Sequence, residues 1–82
     1  MSNRLYVGNL SNEITEADLQ KFFSAFGTVI SARIKTDNVT GEPWGYGFVE
    51  MGDAGAAAAA LQGANGQKFG QNKLRIDAMR SA

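Results

Sequence analysis

Trp44-Gly45-Tyr46-Gly47-Phe48-Val49-Glu50-Met51 alternates with period two and is rich in aromatic and β-branched residues, which reads as a β-strand. On that reading Trp44, Tyr46, Phe48 and Glu50 share one face, and Gly45, Gly47, Val49 and Met51 the other. The bulk stands on the unexpected side. A half-buried strand ordinarily hides its rings. Here the face opposite the rings carries two glycines, which pack well only where something approaches closely. The rings are therefore either a core face or an exposed platform, and the flanking chain has to separate the two.

Upstream, Arg4 to Leu10 alternates in the same way, with Leu5 and Val7 on one side and Arg4, Tyr6 and Gly8 on the other. Thr15 and Asp18 have the spacing of a capping box, with Asp in place of Glu. Leu19, Phe22, Phe23 and Phe26 then follow at i, i+3, i+4 and i+7, one apolar helix face, and Gly27 is placed to end the helix. Val29 to Thr36 predicts a second strand, with Ala32 and Ile34 inward and Ser31, Arg33 and Lys35 outward. Asp37 to Pro43 is a polar connection of hairpin type. Downstream, Asp53 can cap a helix from Ala54 to about Ala64, whose alanine run lets it lie close to a sheet, with Leu61 as its apolar anchor. Asn65-Gly66 is a turn, and Lys73 to Asp77 predicts a last strand with Leu74 and Ile76 inward. Ala78 to Ala82 is expected to be a loose tail.

The order β-α-β-β-α-β is that of an α+β, ferredoxin-like sandwich: a four-stranded antiparallel sheet with both helices on one face. The first and third strands are expected in its centre. The helices supply Leu19, Phe22, Phe23, Phe26 and Leu61 to one core. The strands oppose them with Leu5, Val7, Ala32, Ile34, Val49, Leu74 and Ile76. That core closes without Tyr6, Trp44, Tyr46 or Phe48, and nothing is left to cover the other side of the sheet. The rings are expected to be exposed, as a patch a protein keeps only for use.

Composition narrows the use. The 82 residues suit one small domain, residues 1–82, with a core over about 3–78. There is no Cys for a disulfide or thiolate site and no His, the commonest general base and metal ligand. No catalytic constellation, cofactor or metal site is visible. No apolar run approaches the ~20 residues of a membrane span. An intracellular protein is expected, in the cytoplasm ahead of the nucleus, monomeric, with no membrane or small-molecule partner. Net charge is zero, yet Arg4, Arg33, Lys35, Lys73 and Arg75 fall on the ring face by parity. Glu13, Glu16, Asp18, Asp37, Glu42 and Asp53 fall elsewhere, and Glu50 and Asp77 alone interrupt the basic surface. Flat rings among cations suit unstacked bases joined by phosphates, each stacked base being worth ~1–3 kcal/mol.

Over nearly its full length the chain resembles the RNA recognition motif family. Leu5-Tyr6-Val7-Gly8-Asn9-Leu10 is similar to the family's hexamer motif, and Trp44 to Met51 to its octamer. The resemblance implies single-stranded RNA as partner, with single-stranded DNA weaker, and a post-transcriptional role. It implies that Tyr6 and Phe48 stack on successive bases and that Tyr46 packs against sugars or between nucleotides. Arg33, Lys35, Lys73 and Arg75 are candidate contacts to phosphates or base edges. Asn9 either contacts RNA or holds the turn after the first strand. Asp77 and Ala78 lie where the family often makes main-chain contacts to bases.

The chain departs from the pattern at Trp44, where the family has Lys or Arg, so a phosphate contact is lost and stacking area gained. The Trp44 ring either adds that area at the strand's edge, which is the expectation, or folds back over the sheet. The chain departs again at Met51, which faces the core, and at Ala64, where a Leu is usual and thinner packing is expected. Two other classes remain in view. A protein-interaction module could use the same sheet face, with Trp44 as its anchor. A phosphate hydrolase on this topology would need a phosphate-cradling loop with a cation, and Gly8-Asn9-Leu10-Ser11-Asn12 has none.

Overall fold

The computed structural model describes residues 3–79. Its elements are β1 (Arg4–Gly8), α1 (Glu16–Phe23), β2 (Val29–Thr36), β3 (Pro43–Met51), α2 (Ala54–Ala64), β4 (Lys68–Phe69), β5 (Asn72–Lys73) and β6 (Arg75–Ala78). The main sheet is antiparallel in the order β2-β3-β1-β6, so the two motif-bearing strands are central as expected. Residues 80–82 of the expected tail lie outside the described residues. Ala78, assigned to that tail, is instead paired with Leu5 in β6, and the Met79 N–H donates to the Arg4 carbonyl at 2.9 Å.

Local signals account for the helix starts. The Thr15 hydroxyl accepts from the Asp18 N–H at 3.1 Å, and the Asp18 carboxylate accepts from the Thr15 N–H at 3.0 Å, a complete capping box. Donation to the Asp18 carboxylate, chiefly from the Thr15 N–H and less from the Thr15 hydroxyl, holds that carboxyl below its ordinary pKa. Asp53 caps α2 by accepting from the Ala56 N–H at 2.7 Å. The end of α1 differs from expectation. It stops at Phe23, with Ser24 as its cap, so Phe26 and Gly27 lie beyond the helix.

The core sits between the helices and one sheet face. Leu5, Val7, Val49, Met51 and Ile76 from the strands meet Leu19 and Phe23 of α1 and Ala57, Ala60 and Ala64 of α2, all buried. The face of α2 that packs deepest is thus the alanine face, and Leu61 lies at its margin, only partly buried. A stripe of methyl groups lets the helix axis approach the sheet, which a leucine stripe would hold off. Leu10 and Ile14, in the β1–α1 connection, are also core. Their place in the core leaves no trace in the sequence, because no periodicity marks a loop residue.

Two side chains close the sheet's edges. Glu16 of α1 accepts from the Ile34 N–H of β2 at 2.9 Å, and Asn65 after α2 accepts from the Ile76 N–H of β6 at 3.0 Å. Outward N–H groups on edge strands are templates for pairing with another chain, so both bonds blunt that tendency.

The largest departure from expectation is at the C-terminal end. The last strand does not begin at Lys73. Residues 68–73 form a separate two-stranded ribbon in which Lys68 pairs with Lys73 and Phe69 with Asn72, and the sheet strand starts only at Arg75. Phe69 in this ribbon stacks on Phe22 with ring centroids 4.5 Å apart, which ties the ribbon to α1.

Gly47, on the core side of β3, has no room for a side chain. A Cβ placed there would overlap the carbonyl oxygen of Arg33 on β2. The conflict is with backbone, which cannot turn aside as a side chain can. Gly47→Ala is therefore expected to destabilise the domain by about 1–3 kcal/mol, the usual range for forced overpacking. Thermal unfolding followed by circular dichroism checks this; an unchanged midpoint would mean that β2 yields freely at this point.

Candidate nucleic-acid interface

β1 and β3 pair with Tyr6 opposite Phe48, β2 and β3 with Arg33 opposite Phe48, and β1 and β6 with Tyr6 opposite Asp77. One row across the sheet therefore reads Arg33, Phe48, Tyr6, Asp77. The core accounts for the inward residues of these strands, so this row lies on the face away from the helices.

The rings on this face form one continuous cluster. Tyr6 and Tyr46 are stacked at 5.8 Å with planes 29° apart, Tyr46 and Phe48 meet edge to face at 5.8 Å, and Tyr6 and Phe48 at 6.5 Å. Each of the three is half-buried, shielded by the other rings rather than by a helix. Trp44 extends the row, its ring 6.3 Å from Tyr46 and 58% exposed.

Two irregularities place these rings. Pairing of β2 with β3 shifts between Ile34–Gly47 and Thr36–Pro43, so three residues of β3, Trp44 to Tyr46, face a single residue of β2, Lys35. Gly45 sits within this bulge at φ +85°, a left-handed conformation that glycine adopts without a Cβ penalty. The second shift lies between Val29–Met51 and Ser31–Glu50 and leaves Ile30 unpaired and 57% exposed. The bulge returns Ser31 and Arg33 to the ring face while Val29 packs on the core.

Gly8 sets the attitude of Tyr6. A Cβ at Gly8 would stand 2.7 Å from the Tyr6 hydroxyl oxygen and 2.8 Å from a ring carbon, so the ring lies directly over this glycine. Gly8→Ala must lift the ring, which a side chain can do at small cost in stability. The expected result is a several-fold loss of oligonucleotide affinity with a thermal midpoint within a few degrees of the parent, read by fluorescence anisotropy and circular dichroism. Unchanged affinity would mean that the seat of Tyr6 is not needed.

The candidate polar residues divide into four groups. Arg33, next to Phe48, and Arg75, paired with Gly8, are exposed on the two flanking strands. Lys35 is exposed at the bulge beside the Trp44 end. Lys73, read as part of the sheet face, belongs to the ribbon instead, because the chain turns at Gly70 before it joins the sheet. Asn9 serves the turn: at φ +61° its side-chain amide donates to the Lys73 carbonyl at 2.8 Å, joining the end of β1 to the ribbon.

In the β2–β3 connection, the Thr40 and Val39 N–H groups donate to Asp37 and hold its carboxyl below its ordinary pKa, with a smaller contribution from the Trp44 indole. Among the described residues no group of His, Cys, Asp and Glu could hold a metal ion, and no helix is long and apolar enough to cross a membrane.

Sequence reasoning missed the company that Phe48 keeps. A cavity of about 280 Å³ opens beside its ring, lined by Arg4, Ser31, Arg33, Glu50 and Met79. Parity had put Ser31 and Glu50 on this face, but only the strand register brings them together.

Comparison with known proteins is consistent in direction. The family model of the RNA recognition motif matches residues 5–75. The putative RNA-binding protein RbpA of Nostoc sp. is 41% identical over 73 residues, which cover 89% of this chain and 72% of that protein. Cleavage stimulation factor subunit 2 of Homo sapiens is 42% identical over 73 residues, again 89% of this chain but only 13% of that longer protein. The solved structure of the Rna15 RRM with bound RNA (GU) superposes with a TM-score of 0.87 at 28% identity, covering 99% of this chain and 86% of that one.

Proposed function

The chain belongs to the RNA recognition motif family, and on that basis we propose that it binds short single-stranded RNA across the outer face of its sheet. The observation that carries the proposal is the unbroken ring cluster Trp44–Tyr46–Phe48–Tyr6 on a face that no helix covers. Tyr6 and Phe48 stack on successive bases. Tyr46 packs against sugars or between nucleotides, and Trp44 adds stacking area in place of the usual cation. Lys35 and Arg75 neutralise phosphates along the strand, and Arg33, opposite Phe48, contacts a phosphate or a base edge. Lys73 reaches the RNA only where the strand passes over the ribbon, and Asn9 acts by holding the turn.

This assignment extends what relatives suggest. RbpA is named as an RNA-binding protein, and the Rna15 domain has been solved with GU RNA on it. In our reading the chain acts as one monomeric domain with a post-transcriptional role. Few cations line the face, so binding should fall only modestly with added salt, by the slope expected for two to four released counterions.

The test is a titration of the isotope-labelled protein with a random single-stranded RNA pool about six nucleotides long, followed through backbone amide shifts by NMR. Shifts concentrated on β1 and β3 are expected. Absence of shifts at low salt would overturn RNA binding and make the same face a protein-docking surface, to be tested first at Trp44.

A further inference from the structure

Glu50 is out of place on a surface built for polyphosphate. It is one of two carboxylates on the ring face, and it lines the cavity beside Phe48. Its surroundings are specific. Register sets Ser31 across from it on β2 and Arg4 across from it on β1, and Arg4 Nε lies 4.0 Å from its carboxylate. Arg33 stands one step along, opposite Phe48, and Met79 closes the side. The volume of about 280 Å³ falls just below the range of ligand pockets, which begins near 300 Å³, and suits a single flat group rather than a chain.

We propose that this cavity is a guanine subsite, in which the base stacked on Phe48 presents its N1–H and N2–H groups to the Glu50 carboxylate and its O6 and N7 edge to Arg33. The proposal rests on the reading of the ring face as an RNA platform and adds to it a base preference. The chemistry follows from donor patterns. An ionised carboxylate only accepts, through two oxygens side by side, and a guanidinium only donates, through a planar fork. Guanine alone carries two adjacent donors on its Watson–Crick edge and two acceptors, O6 and N7, on the neighbouring edge.

Adenine and cytosine set one donor beside an acceptor, and that acceptor would face a carboxylate oxygen. Uracil flanks its one donor with two carbonyl oxygens. Each wrong base would therefore cover Glu50 without satisfying it, and an unsatisfied charged acceptor is expensive to desolvate. Arginine paired with guanine O6 and N7 is the commonest specific base contact in the DNA major groove, and an unpaired guanine presents the same edge. Arg4 has a positioning role: its ion pair draws the carboxylate toward β1 and leaves Arg33 for the base. The Ser31 hydroxyl, which donates or accepts, is the remaining polar group of the lining.

The experiment uses the full chain and five labelled RNA pentamers, UUXUU with X as G, A, C, U or inosine, measured by fluorescence anisotropy. Inosine is guanine without the N2 amino group. The parent protein should bind the G pentamer about tenfold more tightly than the A, C or U pentamers. Inosine should lose most of that advantage. In Glu50→Gln the ratio between the U and G dissociation constants should collapse toward one, whatever happens to absolute affinity, with the NMR spectrum confirming an intact fold. Equal binding of all pentamers, abolished by Phe48→Ala, would leave the platform standing and overturn the guanine subsite. A G preference untouched by Glu50→Gln would likewise overturn it. No binding of any pentamer at low salt would overturn the platform and the subsite together.

Discussion

Tyr6→Ala combined with Phe48→Ala is expected to abolish detectable RNA binding while the domain stays folded. The two rings are cross-strand partners at the centre of the sheet, 6.5 Å apart and on the face away from the core. Losing one stacked base costs about 1–3 kcal/mol. Loss of both, on the order of 3 kcal/mol, weakens affinity over a hundredfold. That is enough to move a modest affinity out of the measurable range. Stability should fall by no more than about 1 kcal/mol, as for other surface changes, because neither ring belongs to the buried cluster. Anisotropy against a labelled hexanucleotide and a thermal melt on the same sample separate the two effects. A variant that unfolds would show that the rings hold the sheet together. A folded variant that still binds would move the interface off this face.

Phe23→Ala should behave in the opposite way. Phe23 is the largest fully buried side chain of the domain, on the inner face of α1 and in ring contact with Phe22 at 5.3 Å. Truncating a buried phenylalanine costs about 3–5 kcal/mol. A natural domain holds only about 5–15 kcal/mol in total, and one of this size lies toward the low end. The thermal midpoint should drop by roughly 20 °C or more. Whatever fraction remains folded should bind RNA as before, since Phe23 is separated from the ring face by the thickness of the sheet. A drop of under about 5 °C would mean that Ala57 and its neighbours close over the gap. The two substitutions test one proposition from both sides: the same aromatic type stabilises the fold on one face of the sheet and binds ligand on the other.

Much of this division was legible in the chain. Period-two alternation in Arg4 to Leu10 and Trp44 to Met51, and the i, i+3, i+4 spacing of Leu19, Phe22 and Phe23, are local patterns that depend on each element's own geometry. The capping box at Thr15 is equally local, since both of its bonds join Thr15 and Asp18, three positions apart. Counting the apolar residues that such faces supply was enough to show that the core closes without the rings.

What escaped was non-local. The ribbon of residues 68–73 is too short to show a period, and it is held by the contact of Phe69 with Phe22, far away in the chain. Its formation is what moves Lys73 off the sheet. The alanine face of α2 was read as permissive rather than as the buried face, because alanine gives almost no amphipathic signal and only the approach of the sheet selects a side.

The amino-acid sequence by itself determined the order of the two helices and the four sheet strands, the side on which the residues of β1 and β3 stand, and hence the existence of an aromatic face, because side-chain direction in a strand or helix is fixed by backbone geometry. The tertiary structure decided the register. Bulges at Ile30 and Gly45 slide β2 against β3, and that slide puts Arg33 beside Phe48 and Ser31 beside Glu50. Which residues become neighbours across strands depends on hydrogen bonds between segments distant in sequence, and a one-residue slip would exchange the two faces.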